Sequence, residues 1–65
     1  RYADLAGRSG VVVTALRPAG TVLIDGRRVD AVSSGEYLEV GAQVRVLRVE
    51  GNRVSVGADR PRRQS

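Results

Sequence analysis

The sequence predicts an all-β domain, folded as a small barrel of five short strands. Valine and threonine dominate its apolar stretches, and glycine recurs at short intervals between them, which is the composition of strands separated by tight turns. No window keeps apolar residues at a 3.6-residue spacing, so the sequence predicts no long helix. Closing so small a sheet into a barrel protects its edge strands from pairing with other chains.

The turns and one break in the strand pattern set the predicted strand boundaries. The predicted strands cover residues 9–16, 21–24, 27–32, 43–50 and 53–57. Asp25-Gly26 is predicted to form a two-residue hairpin turn, because type I′ turns need positive φ angles, and Gly51-Asn52 is predicted to form a second one. The apolar alternation slips by one residue at Val46-Leu47, which predicts a β-bulge in the fourth strand.

Two further connections complete the predicted order of elements. Residues 17–20 are predicted to turn, with Pro18 fixing φ at the second position and Gly20 supplying freedom at the fourth. The link between the third and fourth strands is too short for a full helix, so we expect a turn and a brief extended piece at residues 36–40. From this pattern alone, an OB-like barrel, an SH3-like barrel and a barrel-sandwich hybrid all fit.

The residue types that are missing argue against chemistry. The 65 residues include no Cys and no His, and all 11 basic residues are Arg. The usual general base, the strongest nucleophile and a Schiff-base or carrier lysine are therefore absent. A zinc ion would have to be held by carboxylates alone, although zinc prefers nitrogen and sulfur ligands. We expect no enzymatic activity, no cofactor and no metal site.

The basic charge raises the possibility of nucleic-acid binding. The net charge is +4 and the pI about 11.1, but residues 7–57 hold seven Arg against five Asp or Glu, a net of only +2. Five arginines on predicted strands could line up as a basic stripe: Arg27, Arg28, Arg45, Arg48 and Arg53. The strands offer no aromatic side chain on which bases would stack, and acidic residues lie between the arginines. We therefore predict a mixed, solvated face.

The chain is expected to be part of a longer protein, so any membrane span would lie outside it. No segment reaches the roughly 18 to 20 apolar residues that a bilayer-spanning helix needs, and the chain begins at Arg1 without Met. We expect residues 1–6 to be a short lead-in, residues 7–57 the barrel, and residues 58–65 a disordered basic tail. The tail's arginines could touch anionic lipid, but a solvated terminus is the favoured interpretation.

Five blocks of sequence, taken in order and at their spacing, resemble one known family. They are Gly-Arg-Ser-Gly-Val at 7–11, Leu-Arg-Pro-Ala-Gly at 16–20, Ile-Asp-Gly at 24–26, Asp-Ala-Val-Ser-Ser-Gly-Glu-Tyr-Leu-Glu at 30–39, and Val-Glu-Gly-Asn-Arg-Val at 49–54. Together they resemble the C-terminal domain of the NfeD family over residues 7–57. Each block alone would be weak evidence, whereas the five in order make the match specific.

The resemblance implies a five-stranded OB-fold barrel and a role in protein interaction. In that family the domain follows transmembrane helices, which implies that residues 1–6 lead in from a preceding membrane segment. Long members also carry a Clp-like serine protease domain that is not part of this module. The family is associated with stomatin, prohibitin and flotillin-type membrane scaffolds. We therefore expect a non-catalytic module that docks on such a scaffold or on copies of itself at the cytoplasmic face, and that is linked to membrane protease regulation or membrane organisation. The alternative is an OB-fold domain that binds single-stranded nucleic acid.

Four residues are the candidate partner-binding side chains. Arg17 lies in the predicted 17–20 turn, where it is either a partner-binding arginine, a type enriched at interface hot spots, or a solvated turn residue. Tyr37 is either an interface anchor, with Glu36 and Glu39 as its polar rim, or the large side chain that plugs one end of an otherwise aliphatic barrel. The plug is the favoured interpretation for Tyr37.

Overall fold

The computed structural model describes residues 2–59 and shows a closed barrel of five strands in the order β1-β2-β3-β5-β4. The strands are β1 (Ser9–Thr14), β2 (Ala19–Ile24), β3 (Arg27–Ser33), β4 (Gln43–Glu50) and β5 (Arg53–Ala58). The predicted all-β, five-stranded OB-like barrel is confirmed. Neighbouring strands pair antiparallel except β3 and β5, which pair parallel.

Both predicted hairpins are present at the predicted residues. Asp25 and Gly26 have φ angles of 52° and 79°, and the flanking residues Ile24 and Arg27 pair across β2 and β3. Two consecutive positive φ angles are the mark of a type I′ turn, whose twist matches that of the strands it joins. The second hairpin joins β4 to β5 through Gly51, with φ 63°, and Asn52.

The slip in the apolar alternation of β4 is a bulge, as predicted. Val46 pairs with Val56 and Arg48 with Ser55, so Leu47 is the extra residue on β4. A second irregularity falls between Val12 and Thr14 in β1. Bulges increase local twist and bend the strand, which lets strands of six to eight residues curve around a narrow barrel.

The core of the barrel is entirely aliphatic. The buried apolar side chains are Leu5, Val12, Leu16, Val22, Ile24, Val29, Ala31, Leu38, Val44, Val46, Val54 and Val56. The favoured prediction that Tyr37 plugs the barrel is wrong, because its side chain is 70% exposed. Leu38, the next residue along, is buried in its place, and Leu5 adds a further aliphatic side chain from outside the sheet.

Gly20 serves a different purpose from the one predicted. It lies inside β2 rather than in a turn, and a Cβ atom there would meet the carbonyl oxygens of Ala15 at 2.4 Å and Thr14 at 2.6 Å. The β1–β2 connection folds back so closely over β2 that only a hydrogen atom fits. Close approach of backbone, rather than turn geometry, therefore requires glycine here.

The described chain extends beyond the strands at both ends. A single-turn 3-10 helix, Tyr2–Leu5, precedes β1, and the Gly7 amide donates to the Val46 carbonyl at 2.9 Å. After β5, the Asp59 amide donates to the Gln43 carbonyl at 2.8 Å. The predicted tail, residues 58–65, begins later than expected, because Ala58 is the last residue of β5 and Asp59 is hydrogen-bonded to Gln43; the rest of it lies outside the described residues. Within residues 2–59, no helix has the length and hydropathy needed to cross a bilayer.

Candidate partner-binding surface

Two loops on one side of the barrel are joined by a pair of leucines. Leu16, in the β1–β2 loop, and Leu38, in the β3–β4 loop, form an isolated antiparallel bridge. The Leu16 amide donates to the Leu38 carbonyl at 2.8 Å, and the Leu38 amide donates back at 3.1 Å. Both side chains are buried in the core, so the bridge fixes the two loops to the barrel and to each other.

The bridge brings two of the predicted site residues into contact. Arg17 follows Leu16, Glu39 follows Leu38, and Nη2 of Arg17 lies 3.1 Å from both carboxylate oxygens of Glu39. Both side chains are more than half exposed. An exposed pair of this kind contributes about 1 kcal/mol or less to stability. Its clearer consequence is to hold the guanidinium and the carboxylate in one place on the surface.

Two large apolar side chains, one on each side of Leu38-Glu39 in sequence, project into solvent. Tyr37 is 70% exposed and Val40 is 65% exposed. Glu36, which precedes the tyrosine, is exposed as well. We call these five residues the bridge surface: Arg17, Glu36, Tyr37, Glu39 and Val40.

The loop that carries the bridge surface is held at both ends. At its start, the Ser33 hydroxyl donates to the Glu36 carbonyl and the Ser34 amide to the Val56 carbonyl at 3.0 Å. At its end, the Gly41 amide donates to the Val12 carbonyl at 2.9 Å. Main-chain anchors at the start, the middle and the end restrict the loop before any partner binds, which reduces the entropy lost on association.

The bridge surface has the composition of a protein-interaction site. Aromatic side chains and Arg are enriched at interface hot spots, and such apolar anchors are commonly surrounded by a polar, solvent-accessible rim. Tyr37 supplies an aromatic ring, Arg17 a guanidinium, and Glu36 and Glu39 the acidic part of a rim. The structure brings Arg17 and Glu39 into contact and exposes Glu36 and Tyr37 on the same loop as Glu39; partner binding by these four side chains stays a prediction.

Comparison with known proteins identifies the family. The protein-family model of the NfeD-like C-terminal, partner-binding domain matches residues 2–57, which is most of the chain. The chain belongs to the NfeD family. The resemblance inferred from the five sequence blocks is thereby confirmed, and this NfeD domain is of the partner-binding type.

Solved structures of the family share the barrel. The C-terminal domain of the stomatin operon partner protein 1510-C from Pyrococcus horikoshii superposes with a TM-score of 0.84 at 30% identity, covering 89% of this chain and 92% of that one. The soluble domain of the NfeD protein YuaF from Bacillus subtilis gives 0.81 at 32% identity, with coverage of 94% and 81%.

Two further relatives are membrane proteins. The soluble domain of a Corynebacterium glutamicum membrane protein implicated in regulation of membrane protease activity gives a TM-score of 0.74 at 25% identity, covering 82% of this chain and 89% of that one. Membrane protein NfeD1b of Bacillus subtilis strain 168 is 49% identical over 53 residues, which are 82% of this chain but 12% of that protein. The chain thus spans about an eighth of the length of this curated relative.

The arginines predicted to form a mixed face are partly neutralised in this NfeD domain. Arg45 lies 3.4 Å from a carboxylate oxygen of Asp59, and Arg48 lies 3.6 Å from one of Glu50. Arg8, which was not among the five, pairs with Asp25. Within residues 2–59, the ion pairs do not include Arg27, Arg28 or Arg53.

Sequence reasoning missed two exposed apolar side chains, Val40 and Leu47. Leu47 is 56% exposed because it is the bulged residue of β4, and its Cδ1 lies 3.1 Å from where a Cβ on Gly57 would stand. The slip in alternation already signalled the bulge and, with it, a side chain turned outward. Val40 gave no comparable signal, since an isolated valine before a glycine fits an extended piece equally well.

Proposed function

We propose that this NfeD domain is a non-catalytic docking module. It binds its membrane-bound parent protein to a stomatin-, prohibitin- or flotillin-type membrane protein, and the bridge surface is the contact. The observation that carries the proposal is the exposed Tyr37 ring, two residues before Glu39, which pairs with Arg17, on a loop fixed to the core by Leu38.

The relatives support the identity of the partner class. One structural relative is described as a stomatin operon partner protein, and another as implicated in regulation of membrane protease activity. A module that docks a membrane protein onto a stomatin-type protein agrees with both descriptions. We place the domain at the membrane, on its cytoplasmic face, with membrane protease regulation or membrane organisation as the outcome of docking.

The absence of catalysis in the proposal rests on the residue inventory. The full sequence has no Cys, no His and no Lys, so a serine or threonine nucleophile would have to act without the usual base. The role that remains is recognition through surface side chains. Proteolysis linked to this family would then be carried out elsewhere.

Binding of single-stranded nucleic acid is supported less well. None of the five strands carries an aromatic residue, although base stacking on aromatic side chains is the usual source of affinity in this mode. Arg27, Arg28 and Arg53 supply positive charge without a stacking platform. Such binding would weaken steeply with added salt, whereas docking through Tyr37 depends less on ionic strength.

The proposal is tested by purifying the full-length parent from its own membranes, with and without this domain. Loss of a co-purifying stomatin-, prohibitin- or flotillin-type protein on deletion is the expected result. Retention of that protein at the wild-type level would show that other parts of the parent make the contact. A salt series and a nuclease treatment of the wild-type complex separate docking from nucleic-acid-mediated association, because only the latter weakens steeply with salt and is removed by nuclease.

A further inference from the structure

The barrel is closed by a short seam, and beyond that seam one edge of β3 is free. The parallel pairing of β3 with β5 consists of Val32↔Ser55 and Ser33↔Val56, whereas β3 pairs with β2 from Arg27 to Val32. The β2–β3 hairpin therefore extends past the seam. Among residues 2–59, the part of β3 before Val32 has no paired strand on its second side, where an open groove lies between Asp30 and Arg53 of β5.

The register shows which peptide groups of β3 face this free side. Ile24 and Arg27 flank a two-residue turn and form a hydrogen-bonded pair, so the N–H and C=O of Arg27 face β2. Along an antiparallel ladder the N–H and C=O groups of successive residues point alternately toward and away from the neighbouring strand. Those of Arg28 and Asp30 therefore face away from β2. The same alternation correctly turns Val32 toward β5, with which it pairs.

The side chains at these two positions carry opposite charges. Arg28 and Asp30 are exposed and, being two residues apart on a strand, project from the same face of the sheet. Neither takes part in the ion pairs found within residues 2–59. The free edge thus presents the N–H and C=O groups of two residues, Arg28 and Asp30, on either side of Val29. The side chains of these two residues have opposite charges and no ion-pair partner in the described part of the chain.

We propose that this edge is a self-association site, at which β3 of one chain pairs antiparallel with β3 of a second copy about a two-fold axis at Val29. In this register Arg28 lies opposite Asp30 of the second copy, and Asp30 lies opposite Arg28 of the second copy. Four main-chain hydrogen bonds form, and both cross-strand pairs join opposite charges, which stabilises the pairing. The inference concerns a different surface from the bridge surface and does not depend on the proposed function.

The charge pattern selects a second copy over other occupants. An edge carrying charges of one sign would repel its own copy, which is a common protection against edge-to-edge pairing. Here the order Arg28-Val29-Asp30 is self-complementary when reversed. Beside Asp30 an open groove of about 500 Å³, also lined by Thr21, Asn52 and Arg53, leaves space for a second strand at this edge. An acidic extended peptide would match Arg28 but would place a carboxylate opposite Asp30.

The first test is sedimentation equilibrium of the 65-residue chain up to about 1 mM, the order of concentration that tethering to a membrane supplies. A monomer–dimer equilibrium is expected, with concentration-dependent amide shifts at Arg28 and Asp30. Arg28→Asp and Asp30→Arg each place two like-charged pairs across the interface, and each should raise the dissociation constant about tenfold or more. A chain that remains monomeric over this concentration range would overturn the proposal. The same holds for a chain that binds an acidic peptide at this edge but does not self-associate.

Mixing the two variants gives the decisive measurement. The Arg28→Asp chain carries two acids and the Asp30→Arg chain two bases, so an equimolar mixture should form a heterodimer at least as tight as the wild-type dimer. Recovery on mixing also shows that both variants are folded. If the mixture associates no better than either variant alone, the proposed register is wrong.

Discussion

Leu16 and Leu38 exchange two main-chain hydrogen bonds, at 2.8 and 3.1 Å, and both side chains lie in the core. This one bridge positions the proposed binding surface, because Arg17 and Glu39 are the residues that follow the two leucines. The surface thus depends on the same packing that stabilises the barrel. Variants of the buried leucines therefore test stability, whereas variants of the exposed Arg17 and Glu39 test binding.

Replacing Leu16 with alanine should destabilise the fold strongly. The leucine is fully buried, and deletion of a buried leucine side chain typically costs about 2 to 5 kcal/mol, because transfer and cavity terms add. Leu47→Ala is the matched control, since Leu47 is largely exposed and its removal should change the unfolding free energy by about 0.5 kcal/mol or less. Urea denaturation measures both, and equal losses would contradict the packing described.

Gly20→Ala should be destabilising although it adds a single methyl group. That methyl would lie 2.4 Å from the Ala15 carbonyl oxygen, so the backbone must move, at a cost of about 1 to 3 kcal/mol. Gly57→Ala is the comparison, because its nearest neighbour is Leu47 Cδ1 at 3.1 Å, the flexible end of an exposed side chain. Thermal unfolding should show a clearly lower Tm for the first variant than for the second.

The Arg17–Glu39 pair should matter more for binding than for folding. A double-mutant cycle with Arg17→Ala and Glu39→Ala is expected to give a coupling in unfolding free energy of about 1 kcal/mol or less, because the pair is exposed and screened. Isothermal titration with the identified partner should show that Arg17→Ala weakens the binding free energy by more than this coupling. A coupling well above 1 kcal/mol would make this pair a structural element of the fold instead.

The β2–β3 turn should tolerate Asp25→Asn and resist Gly26→Ala. Both positions have positive φ, which asparagine accepts readily and alanine accepts at a cost of about 1 to 2 kcal/mol. The Asn variant also removes the ion pair to Arg8, which is exposed and contributes little. Chemical denaturation of the two variants checks this order, and equal destabilisation would argue against a type I′ turn.

Local patterns in the sequence were sufficient to predict much of the fold. Asp25-Gly26 identifies its turn because few residue pairs adopt two positive φ angles, and the slip at Val46-Leu47 identifies the bulge because side-chain alternation in a strand is strict. The length of β4 follows from the same alternation. These features depend on neighbours in sequence.

Features that depend on tertiary contact were not predictable in the same way. Gly20 was assigned to a turn, yet its role comes from the carbonyl groups of Thr14 and Ala15 folding over it. Tyr37 was expected inside, but alternation around the buried Leu38 turns it outward. The contact between Arg17 and Glu39, 22 residues apart, exists only because two loops are bridged.

The central claim is that the bridge surface docks the parent on a stomatin-, prohibitin- or flotillin-type membrane protein. The most direct measurement is the amount of that protein that co-purifies with the full-length parent carrying Tyr37→Ala, against a parent carrying Arg48→Ala as an exposed control. The account predicts a loss of about tenfold or more for Tyr37→Ala, the scale of an interface hot spot, and no loss for Arg48→Ala. Full retention of the partner by the Tyr37→Ala parent would contradict it.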